Sequence, residues 1–451
     1  MLQNKKVTVV GSGISGIAAI KLLKKHNAIV TLYDSNEALD KQTVVEKIGF
    51  FVDIVCGVFT EELKQWTELL ILSPGVPTDL PFIVSLKEQG VPVWGEIELA
   101  YKIAGGRLIG ITGTNGKTTT TALTGEIMKQ YFKEVFVVGN IGIPYTELAE
   151  EIGEQAVTVA ELSSFQLETV QEDFMPEVSM ILNVTPDHLN RHYTMENYAN
   201  AKLNVARYQK KEQTCILNYE DALLREYANQ LSCQILWFSS AHKLLDGLYL
   251  EGNKILYAKA GEITEICHTE ELHIIGTHNY ENAMAAIGVA LCMGVPLASL
   301  REGLKNFHAV EHRIEFVATK RGVDYYNDSK GTNPDAAIKA IQAMKKPTLL
   351  IGGGYDKGSE YEDWIRAFDG KVKHFILIGQ TKEKIAETAK EMGVPSIVLK
   401  DTFEEAMDFC VEHSVAGDAV LLSPACASWG MFKNYEERGR VFKDYVKGIV
   451  E

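Results

Sequence analysis

This 451-residue sequence has fewer basic than acidic residues, and it lacks patterned cysteines and long apolar runs. It has 45 Lys and Arg against 60 Asp and Glu, and the net charge of -15 disfavours a nucleic-acid-binding surface, which needs clustered positive charge. Its seven cysteines form no CxxC pair, which indicates reduced thiols in a cytoplasmic setting. No apolar run reaches the roughly 20 residues of a membrane-spanning helix, so we expect no membrane insertion. The chain leads straight into the apolar residues 7–10, so we expect no signal peptide.

Short apolar runs alternate with helical patterns along the whole chain, which is typical of an α/β fold with parallel sheets. The predicted strands fall into three groups: residues 7–10, 28–33, 69–72 and 91–94, then 135–138, 157–160 and 178–184, then 323–326, 348–351, 374–378, 396–399 and 419–422. A hairpin is predicted at residues 248–257 and a helix at 278–290. We therefore predict three domains: a Rossmann-like N-terminal domain (1–98), a central phosphate-loop ATPase-like α/β domain with the added β-hairpin (99–308), and a C-terminal doubly wound Rossmann-like domain (309–451).

The most informative motif is a glycine-rich turn that ends in Gly116-Lys117-Thr118. Backbone N–H groups of such a loop converge on phosphate oxygens, and a helix predicted to begin at Thr118 adds its positive end. The Lys suits the outer phosphates and the Thr hydroxyl suits Mg²⁺. The general pattern places a glycine at Ile111, whereas this chain has it at Gly113, so the loop is a variant. The alternative is an ordinary glycine turn with a solvated lysine.

A second glycine motif, Gly11-Ser12-Gly13-Ile14-Ser15-Gly16, follows the first predicted strand. Asp34 ends the next strand, at the spacing where an acid meets a ribose hydroxyl. Alone, this pattern indicates an NAD-dependent dehydrogenase, although the same turn binds any nucleotide diphosphate. The tripeptide Ser73-Pro74-Gly75 ends another strand and either lines the same crevice or is a plain turn.

Three residues of the central domain are candidate metal ligands. Glu161 ends a predicted strand downstream of the phosphate loop, where an acidic Mg²⁺ ligand is expected; the alternative is a surface glutamate. His188 either binds a metal or is a structural histidine. Lys202 lies in a predicted helix, where a solvated lysine is the ordinary expectation.

Polar clusters follow three strands of the C-terminal domain. They are residues 327–333 with Lys330, residues 352–358 with Lys357, and residues 423–429. Two lysines at one edge of a sheet indicate an anionic substrate, whereas each cluster alone could be ordinary loop chemistry.

Across almost its whole length the chain resembles the Mur ligases of peptidoglycan synthesis. The resemblance rests on residues 113–118, 139–142, 161–166, 183–188, and on 423–429 continued by 432–439, which are similar to the members that add D-glutamate. The Asp-Asn-Pro-Arg signature of the members that add a diamino acid is missing, since Thr332-Asn333-Pro334-Asp335 does not supply it.

The resemblance implies roles for individual residues. The uridine diphosphate part of the muramoyl substrate would contact Gly11, Ser12, Gly13, Ile14, Ser15, Gly16, Asp34, Ser35, Ser73, Pro74, Gly75 and Asn140. ATP would contact Gly113, Thr114, Asn115, Gly116, Lys117, Thr118, Thr119, Asn282, Arg313 and Asp328. Two Mg²⁺ ions would be held by Thr118, Glu161, His188 and a carbamylated Lys202. D-Glutamate would contact Lys330, Thr332, Lys357, Ser428, Trp429 and Tyr435. The catalytic set would be Lys117, Glu161, His188, Lys202 and Lys330.

The implied function is an ATP-dependent amide ligase that adds D-glutamate to UDP-N-acetylmuramoyl-L-alanine through an acyl phosphate. We expect a cytoplasmic monomer that binds no nucleic acid and does not insert into a membrane. An NAD-dependent dehydrogenase would not account for the Lys117 loop. A nucleotide-binding switch protein would not account for the Gly11 motif or for the C-terminal lysines. Folylpolyglutamate synthase is the nearest alternative within the ligases, but it would not account for the N-terminal nucleotide-binding domain.

Overall fold

The computed structural model describes residues 2–140, 142–308, 310–356 and 358–450. The chain divides into two units, Met1–Glu271 with Glu281–Asn306, and Leu272–Tyr280 with Phe307–Glu451. None of the helices in these ranges is long and apolar enough to cross a bilayer. All seven cysteines are free thiols, in agreement with the unpatterned spacing.

The first unit begins with a parallel five-stranded sheet. In chain order its elements are β1 (Lys6–Val10), α1 (Ile14–Lys25), β2 (Ile29–Asp34), α2 (Lys41–Ile48), β3 (Asp53–Cys56), α3 (Glu61–Trp66), β4 (Leu69–Leu72), α4 (Pro81–Glu88) and β5 (Val93–Gly95). The strands lie in the order β3-β2-β1-β4-β5. All four residues of β4 are buried because helices cover both faces of the sheet. The winding direction changes between β1 and β4, the position where sheets of this kind bind ligands.

The central part of the first unit is built on a nine-stranded sheet in the order β14-β13-β12-β11-β10-β9-β6-β8-β7. Its elements are α5 (Glu96–Tyr101), β6 (Arg107–Thr112), α6 (Lys117–Lys129), β7 (Val135–Gly139), α7 (Tyr145–Leu148), β8 (Val157–Glu161), α8 (Ser164–Leu167), β9 (Val178–Ile181), α9 (Leu189–His192), α10 (Met195–Leu203), β10 (Thr214–Asn218), α11 (Ala222–Tyr227), β11 (Gln234–Ser239), β12 (Gly247–Glu251), β13 (Lys254–Lys259), β14 (Glu262–His268), α12 (Thr277–Cys292) and α13 (Leu297–Asn306). Strands β6 to β12 run parallel, and β12, β13 and β14 are antiparallel.

The predicted hairpin is confirmed as β12 and β13, which pair from Gly247–Ala258 to Glu251–Lys254. The structure adds β14 beyond it, which the sequence did not predict. The first four residues of β14 are exposed, so they lack the apolar alternation by which a strand is recognised.

Helix α5 joins the two sheets of the first unit through two buried carboxylates. Glu96 accepts hydrogen bonds from Gln166 Nε2 at 2.9 Å and from Thr146 Oγ1 at 3.4 Å. Glu98 accepts from the backbone N–H of Gln171 at 3.1 Å and lies 3.2 Å from Lys102 Nζ. The N-terminal and central sheets also share one hydrophobic core. Burial raises the pKa of Glu96 to about 7, although its hydrogen bonds act in the opposite direction.

We expect Glu96→Gln to stabilise the protein above neutral pH. The pKa of Glu96 rises from 4.5 to about 7 on folding, so the folded state binds the proton more tightly, and stability falls as pH rises from 4.5 through 7. The amide keeps the contacts without a buried charge, and the gain at pH 8 should be about 3 kcal/mol. Urea midpoints at pH 5 and pH 8 measure it. The exposed Glu172→Gln is the control, and a lower midpoint for Glu96→Gln at pH 8 would contradict the prediction.

The second unit contains a six-stranded sheet in the order β15-β16-β20-β17-β18-β19. Its elements are β15 (Glu315–Lys320), β16 (Val323–Asn327), α14 (Pro334–Ala343), β17 (Thr348–Gly352), α15 (Glu362–Arg366), β18 (Val372–Leu377), α16 (Lys382–Glu391), β19 (Ile397–Leu399), α17 (Phe403–His413), β20 (Ala419–Leu422) and α18 (Tyr435–Gly448). Only β15 is antiparallel to its neighbour among these strands. Alternate residues of β17 and β20 enter separate hydrophobic clusters on the two faces, as a doubly wound sheet requires.

Candidate nucleotide and metal-binding site

The Gly11 motif forms a tight turn between β1 and α1. Gly11 has φ +98°, and a Cβ on it would lie 2.9 Å from Ser73 Oγ. A Cβ on Gly16 would lie 2.0 Å from the carbonyl oxygen of Gly11, so only glycine lets α1 approach β1 this closely. No described heavy atom lies within 4 Å of a Cβ built on Gly13, so the turn is open there.

Asp34 is tied to this turn. Ser12 donates to Asp34 Oδ2 from its backbone N–H at 3.0 Å and from its hydroxyl at 2.6 Å. Burial alone would raise the pKa of Asp34, but the hydrogen bonds from Ser12 and Asn36 outweigh it and lower the pKa. Asp34 is therefore an anion at the rim of the turn and is followed by the exposed Ser35, while Ser15 in the turn is half-buried.

Ser73, Pro74 and Gly75 follow β4, directly beside the Gly11 turn. Ser73 Oγ donates to the Gly11 carbonyl at 3.3 Å. The two segments thus meet at the ends of β1 and β4, which agrees with the first of the two alternatives that the sequence left open for residues 73–75. Ile14 is 76% exposed at the start of α1.

The phosphate loop connects β6 to α6. Gly113 has φ +150° and Gly116 has φ +86°, and a Cβ on Gly116 would lie 2.3 Å from Asn282 Oδ1. Helix α6 begins at Lys117, one residue before the predicted start. Lys117 Nζ donates to the carbonyls of Gly113 at 2.9 Å and Thr114 at 3.0 Å. Thr118 and Thr119 are buried in the first turn, and Asn282 adjoins the loop.

Asn183 and Tyr198 support this loop, and neither was among the predicted site residues. Asn115 N donates to Asn183 Oδ1 at 2.8 Å, and Asn183 Nδ2 donates to the Asn115 carbonyl at 3.1 Å. The Thr114 hydroxyl lies 3.1 Å from the Tyr198 hydroxyl. Asn183 belongs to one of the motifs that carry the family resemblance, which was the available signal.

Glu161 ends β8 and is 1% exposed, so the surface alternative is wrong. Asn140 Nδ2 donates to Glu161 Oε1 at 2.8 Å, and the Asn140 backbone N–H donates to the Glu161 carbonyl at 2.8 Å. Within the described residues Oε2 has no hydrogen-bond partner, although it is buried. A buried carboxylate oxygen without a donor is suited to a hard cation.

His188 precedes α9 in a left-handed conformation, with φ +53°. Its side chain is 50% exposed, its Nε2 lies 3.5 Å from Asp187 Oδ2, and its ring centre lies 5.0 Å from that of Phe165. The imidazole is thus not a satisfied core group, and the strained backbone indicates a constrained position.

Lys202 is buried in α10 with 1% exposure, so the ordinary expectation of a solvated lysine is wrong. Its Nζ donates to the Gly113 carbonyl at 2.8 Å, directly behind the phosphate loop, and lies 4.5 Å from the Tyr198 ring centre. Burial, reinforced by the charge of Lys117, lowers the pKa of Lys202 well below its usual value.

A divalent cation is compatible with these residues. Among the described residues no group of three or more His, Cys, Asp or Glu side chains could hold a metal alone. Mg²⁺ usually takes one or two carboxylates and completes its shell with water and substrate phosphates. The unpartnered oxygen of Glu161 beside a phosphate-type loop matches that mode of binding.

Asp328 directly follows β16 in the second unit, and Arg313 lies in the same unit, just before β15. The Ser423 hydroxyl donates to Asp328 Oδ2 at 2.7 Å, and the Ile314 backbone N–H donates to Oδ1 at 3.3 Å. Burial raises the pKa of Asp328 to about 7, against the opposing effects of the Ser423 hydrogen bond and the Arg313 charge. The strand ends of β16 and β20 are therefore joined by this carboxyl group.

The remaining predicted residues of the second unit fall around the same strand ends. Lys330 Nζ lies 5.6 Å from the Tyr435 ring centre, and Thr332 N donates to the Lys330 carbonyl at 2.9 Å. Ser428 is buried, whereas Trp429 is 55% exposed, with its ring centre 5.5 Å from that of Tyr355. Lys357 lies outside the described residues.

Arg438 joins these segments, and the sequence analysis gave it no role. It is 1% exposed, and its guanidinium donates to Ser329 Oγ at 2.9 Å and to the Ser329 carbonyl at 2.8 Å. Ser329 Oγ in turn donates to the Tyr435 carbonyl at 2.8 Å. A buried arginine on the inner face of α18 therefore positions the residues around Lys330.

Three family models match the chain. They are the Mur ligase MurD-like N-terminal domain at residues 5–95, the Mur ligase middle domain at 111–290, and the Mur ligase glutamate ligase domain at 312–426.

Curated relatives match over nearly the whole chain. A UDP-N-acetylmuramoylalanine–D-glutamate ligase of Lachnoclostridium phytofermentans is 57% identical and covers 99% of this chain and 98% of the relative. The protein of the same name from Clostridioides difficile is 43% identical, with 99% of each covered.

Among solved structures, the fold is similar to that of UDP-N-acetylmuramate-alanine ligase from Thermotoga maritima. Its TM-score is 0.60 at 20% identity, with 98% of this chain and 99% of that chain covered. It is also similar to a MurF ligase from Thermotoga maritima determined in complex with ADP, with a TM-score of 0.59 at 16% identity and coverage of 99% and 96%.

Proposed function

The chain belongs to the Mur ligase family, and from that premise we propose that it adds D-glutamate to UDP-N-acetylmuramoyl-L-alanine with conversion of ATP to ADP and phosphate. It is an ATP-dependent, amide-forming ligase of peptidoglycan precursor synthesis. The observation that carries the proposal is that one unit contains the Lys117 loop, the Glu161 oxygen without a described partner, and the Gly11 turn. Relatives that are named for this reaction match 99% of the chain, which supports the proposal.

The reaction must first activate a carboxylate. A carboxylate is a poor electrophile because its negative charge repels an amine and its leaving group would be oxide. Transfer of the γ-phosphoryl group of ATP to the substrate carboxylate gives an acyl phosphate. The amine of D-glutamate then attacks the acyl carbon, and the tetrahedral adduct expels phosphate and loses a proton to give the amide.

The Lys117 loop would hold the phosphates of ATP. Phosphoryl transfer depends mainly on positioning and charge neutralisation, which backbone N–H groups and the Lys117 ammonium supply. Thr118, Glu161, His188 and a carbamylated Lys202 would hold Mg²⁺, expected as two ions. Bound Mg²⁺ would neutralise charge on the phosphate oxygens. Asn140 keeps Glu161 Oε1 occupied, which leaves Oε2 for the metal.

The Gly11 turn and residues 73–75 would bind the uridine diphosphate part of the muramoyl substrate. Support comes from their position at the ends of β1 and β4 and from the anionic Asp34, which suits a ribose hydroxyl. Asn140 is assigned to the same substrate by resemblance. Asn282, Arg313 and Asp328 are proposed to contact ATP on the same grounds.

Lys330, Thr332, Lys357, Ser428, Trp429 and Tyr435 are proposed to bind D-glutamate. The substrate has two carboxylates besides its amine, so lysines and hydroxyl groups match its charge. The proposed domain boundaries remain 1–98, 99–308 and 309–451. Cytoplasmic location and a monomeric state also remain predictions.

The function is tested by phosphate release with UDP-N-acetylmuramoyl-L-alanine and a panel of D- and L-amino acids. We expect release only with ATP, the nucleotide substrate and D-glutamate together. D-Alanine should be poorer by up to about 10⁴-fold, because it leaves polar groups of the site unpaired. Release without an amino acid would indicate a nucleotide switch, and equal use of L-alanine would contradict the assignment.

The same assay places the amino-acid site. Lys330→Ala and Ser428→Ala should raise the KM for D-glutamate by about 10²-fold, with little change in the KM for ATP. Lys346→Ala is the matched control, because Lys346 lies in the same unit and pairs with Asp324 away from the predicted site. Variants that weaken ATP and leave D-glutamate unaffected would overturn the placement.

A further inference from the structure

We propose that Arg191 is a positioning residue that ties the turn after β4 to the segment carrying His188. This inference rests on the proposed function, which assigns the uridine diphosphate group to the turn and a metal ion to His188. Arg191 Nη2 donates to the Val76 carbonyl at 2.8 Å and to Glu168 Oε2 at 2.7 Å, and its Nε donates to Glu168 Oε1 at 3.4 Å. One guanidinium thus joins the N-terminal domain to two places in the central domain.

On one side, Arg191 holds the turn that contains the proposed uridine diphosphate residues. The Val76 backbone N–H donates to the Ser73 carbonyl at 3.0 Å, so residues 73–76 form a closed turn. Ser73 Oγ bonds to Gly11, and Thr78 Oγ1 donates to Glu168 Oε2 at 3.4 Å. A shift of the Val76 carbonyl would therefore move the turn that packs against the Gly11 motif.

On the other side, Arg191 holds the short helix that follows His188. The backbone N–H groups of Arg191 and His192 donate to the His188 carbonyl at 2.9 and 3.0 Å. His188 and Tyr193, at the two ends of α9, have φ of +53° and +66°. Side chains other than glycine rarely adopt this region, so surrounding contacts must hold α9 in place.

Glu168 is the shared acceptor of these contacts. Besides Arg191 and Thr78, it lies 3.4 Å from His192 Nδ1, and His192 Nε2 lies 3.0 Å from Ser164 Oγ. The Arg191 and Glu168 side chains are each 14% exposed, so the pair is largely shielded from solvent. The guanidinium also lies 5.1 Å from the Phe165 ring centre.

Only arginine can make all of these contacts at once. Its planar fork reaches a carboxylate and a carbonyl in fixed directions and stacks on an aromatic ring. A lysine keeps the charge near Glu168 but offers one compact ammonium. Arg191→Lys therefore removes the tie to Val76 while preserving the ion pair.

The test compares Arg191→Lys with Arg107→Lys. Arg107 is a matched control because it lies 3.7 Å from Glu177 and 4.6 Å from the Phe132 ring centre but has no bond to the N-terminal domain among the described contacts. Calorimetry without ATP gives the Kd for UDP-N-acetylmuramoyl-L-alanine. Hydrogen exchange follows residues 73–80 and 188–193.

For Arg191→Lys we expect a Kd about tenfold higher, as the loss of one such tie predicts. Amide exchange should accelerate in both segments together. Arg107→Lys should change none of these. Faster exchange in one segment only, or unchanged affinity in a folded variant, would overturn the proposal. Failure of the wild-type protein to bind the substrate would instead contradict the proposed function. The tie made by Arg191 would still be tested, because the hydrogen-exchange comparison does not require the substrate.

Tyr193→Phe is a second variant that tests the same tie if Arg191→Lys does not fold. Tyr193 is 68% exposed, and its hydroxyl donates to Asp79 Oδ2 at 2.8 Å, so the change removes a parallel bond without opening the core. It should weaken the same substrate in the same direction, by a smaller factor. If Tyr193→Phe changed neither the Kd for the nucleotide substrate nor the amide exchange of residues 73–80, the proposed tie would be contradicted.

Discussion

Lys117→Ala is expected to lower kcat by about 10²-fold or more while leaving the fold intact, because preorganised charge contacts of this kind contribute that much to a transition state. The ammonium now bonds to the Gly113 and Thr114 carbonyls, so it lies within the loop that would surround the phosphates. Its loss removes a cation from the site of phosphoryl transfer, which backbone N–H groups cannot replace.

The measurement is phosphate release at saturating substrates, with circular dichroism to confirm folding. Lys129→Ala is the matched control, because it removes an exposed lysine from the last turn of the same helix. Near-normal turnover in Lys117→Ala would remove the loop from the mechanism.

Motifs that are local in sequence were predicted well. The Gly11 turn, residues 73–75 and the phosphate loop each follow a strand, and strand ends on one edge of a parallel sheet come together. Two backbone positions explain why glycine marks the loops: a Cβ on Gly16 would meet the Gly11 carbonyl, and one on Gly116 would meet Asn282.

Contacts between distant segments could not be predicted from periodicity. Arg191 bonds to Val76 across 115 positions, and Gln166 bonds to Glu96 across 70. Val76 accepts through its backbone carbonyl, and Arg191, Gln166 and Glu96 are polar side chains whose partners lie far away in the sequence, so no local periodicity indicates these bonds. The buried carboxylates of α5 were missed for the same reason.

Strands at the edges were also hard to predict. β14 has mostly exposed residues, and β15 is half exposed along its length, so burial did not impose an alternating pattern on either. Two strands buried on both faces, β4 and β20, were predicted with the bounds that the structure has. The interior strand β10 was not predicted, although it is largely buried, because its apolar run of Cys215–Leu217 is too short to indicate a strand.

Lys202 shows the limit of residue-by-residue interpretation. A lysine in a helix is ordinarily solvated, yet this one is buried behind the phosphate loop and bonded to the Gly113 carbonyl. Family resemblance alone implied the carbamate, in which the neutral amine attacks CO₂, forms an N–C bond and releases a proton. The product is an anion whose oxygens suit Mg²⁺.

Lys202→Ala is therefore expected to be nearly inactive, with kcat lowered by about 10²–10³-fold, and to be partly rescued by a short carboxylic acid such as acetate or propionate. Truncation of a buried lysine leaves a space behind the loop in which the acid can place its two oxygens near those of the carbamate. Lys117→Ala is the matched control, because a carboxylate cannot replace a missing cation. Rescue of both variants would reflect a general salt effect. A fully active Lys202→Ala, or plain lysine at this position by intact mass and ¹³C NMR under labelled bicarbonate, would contradict the carbamate.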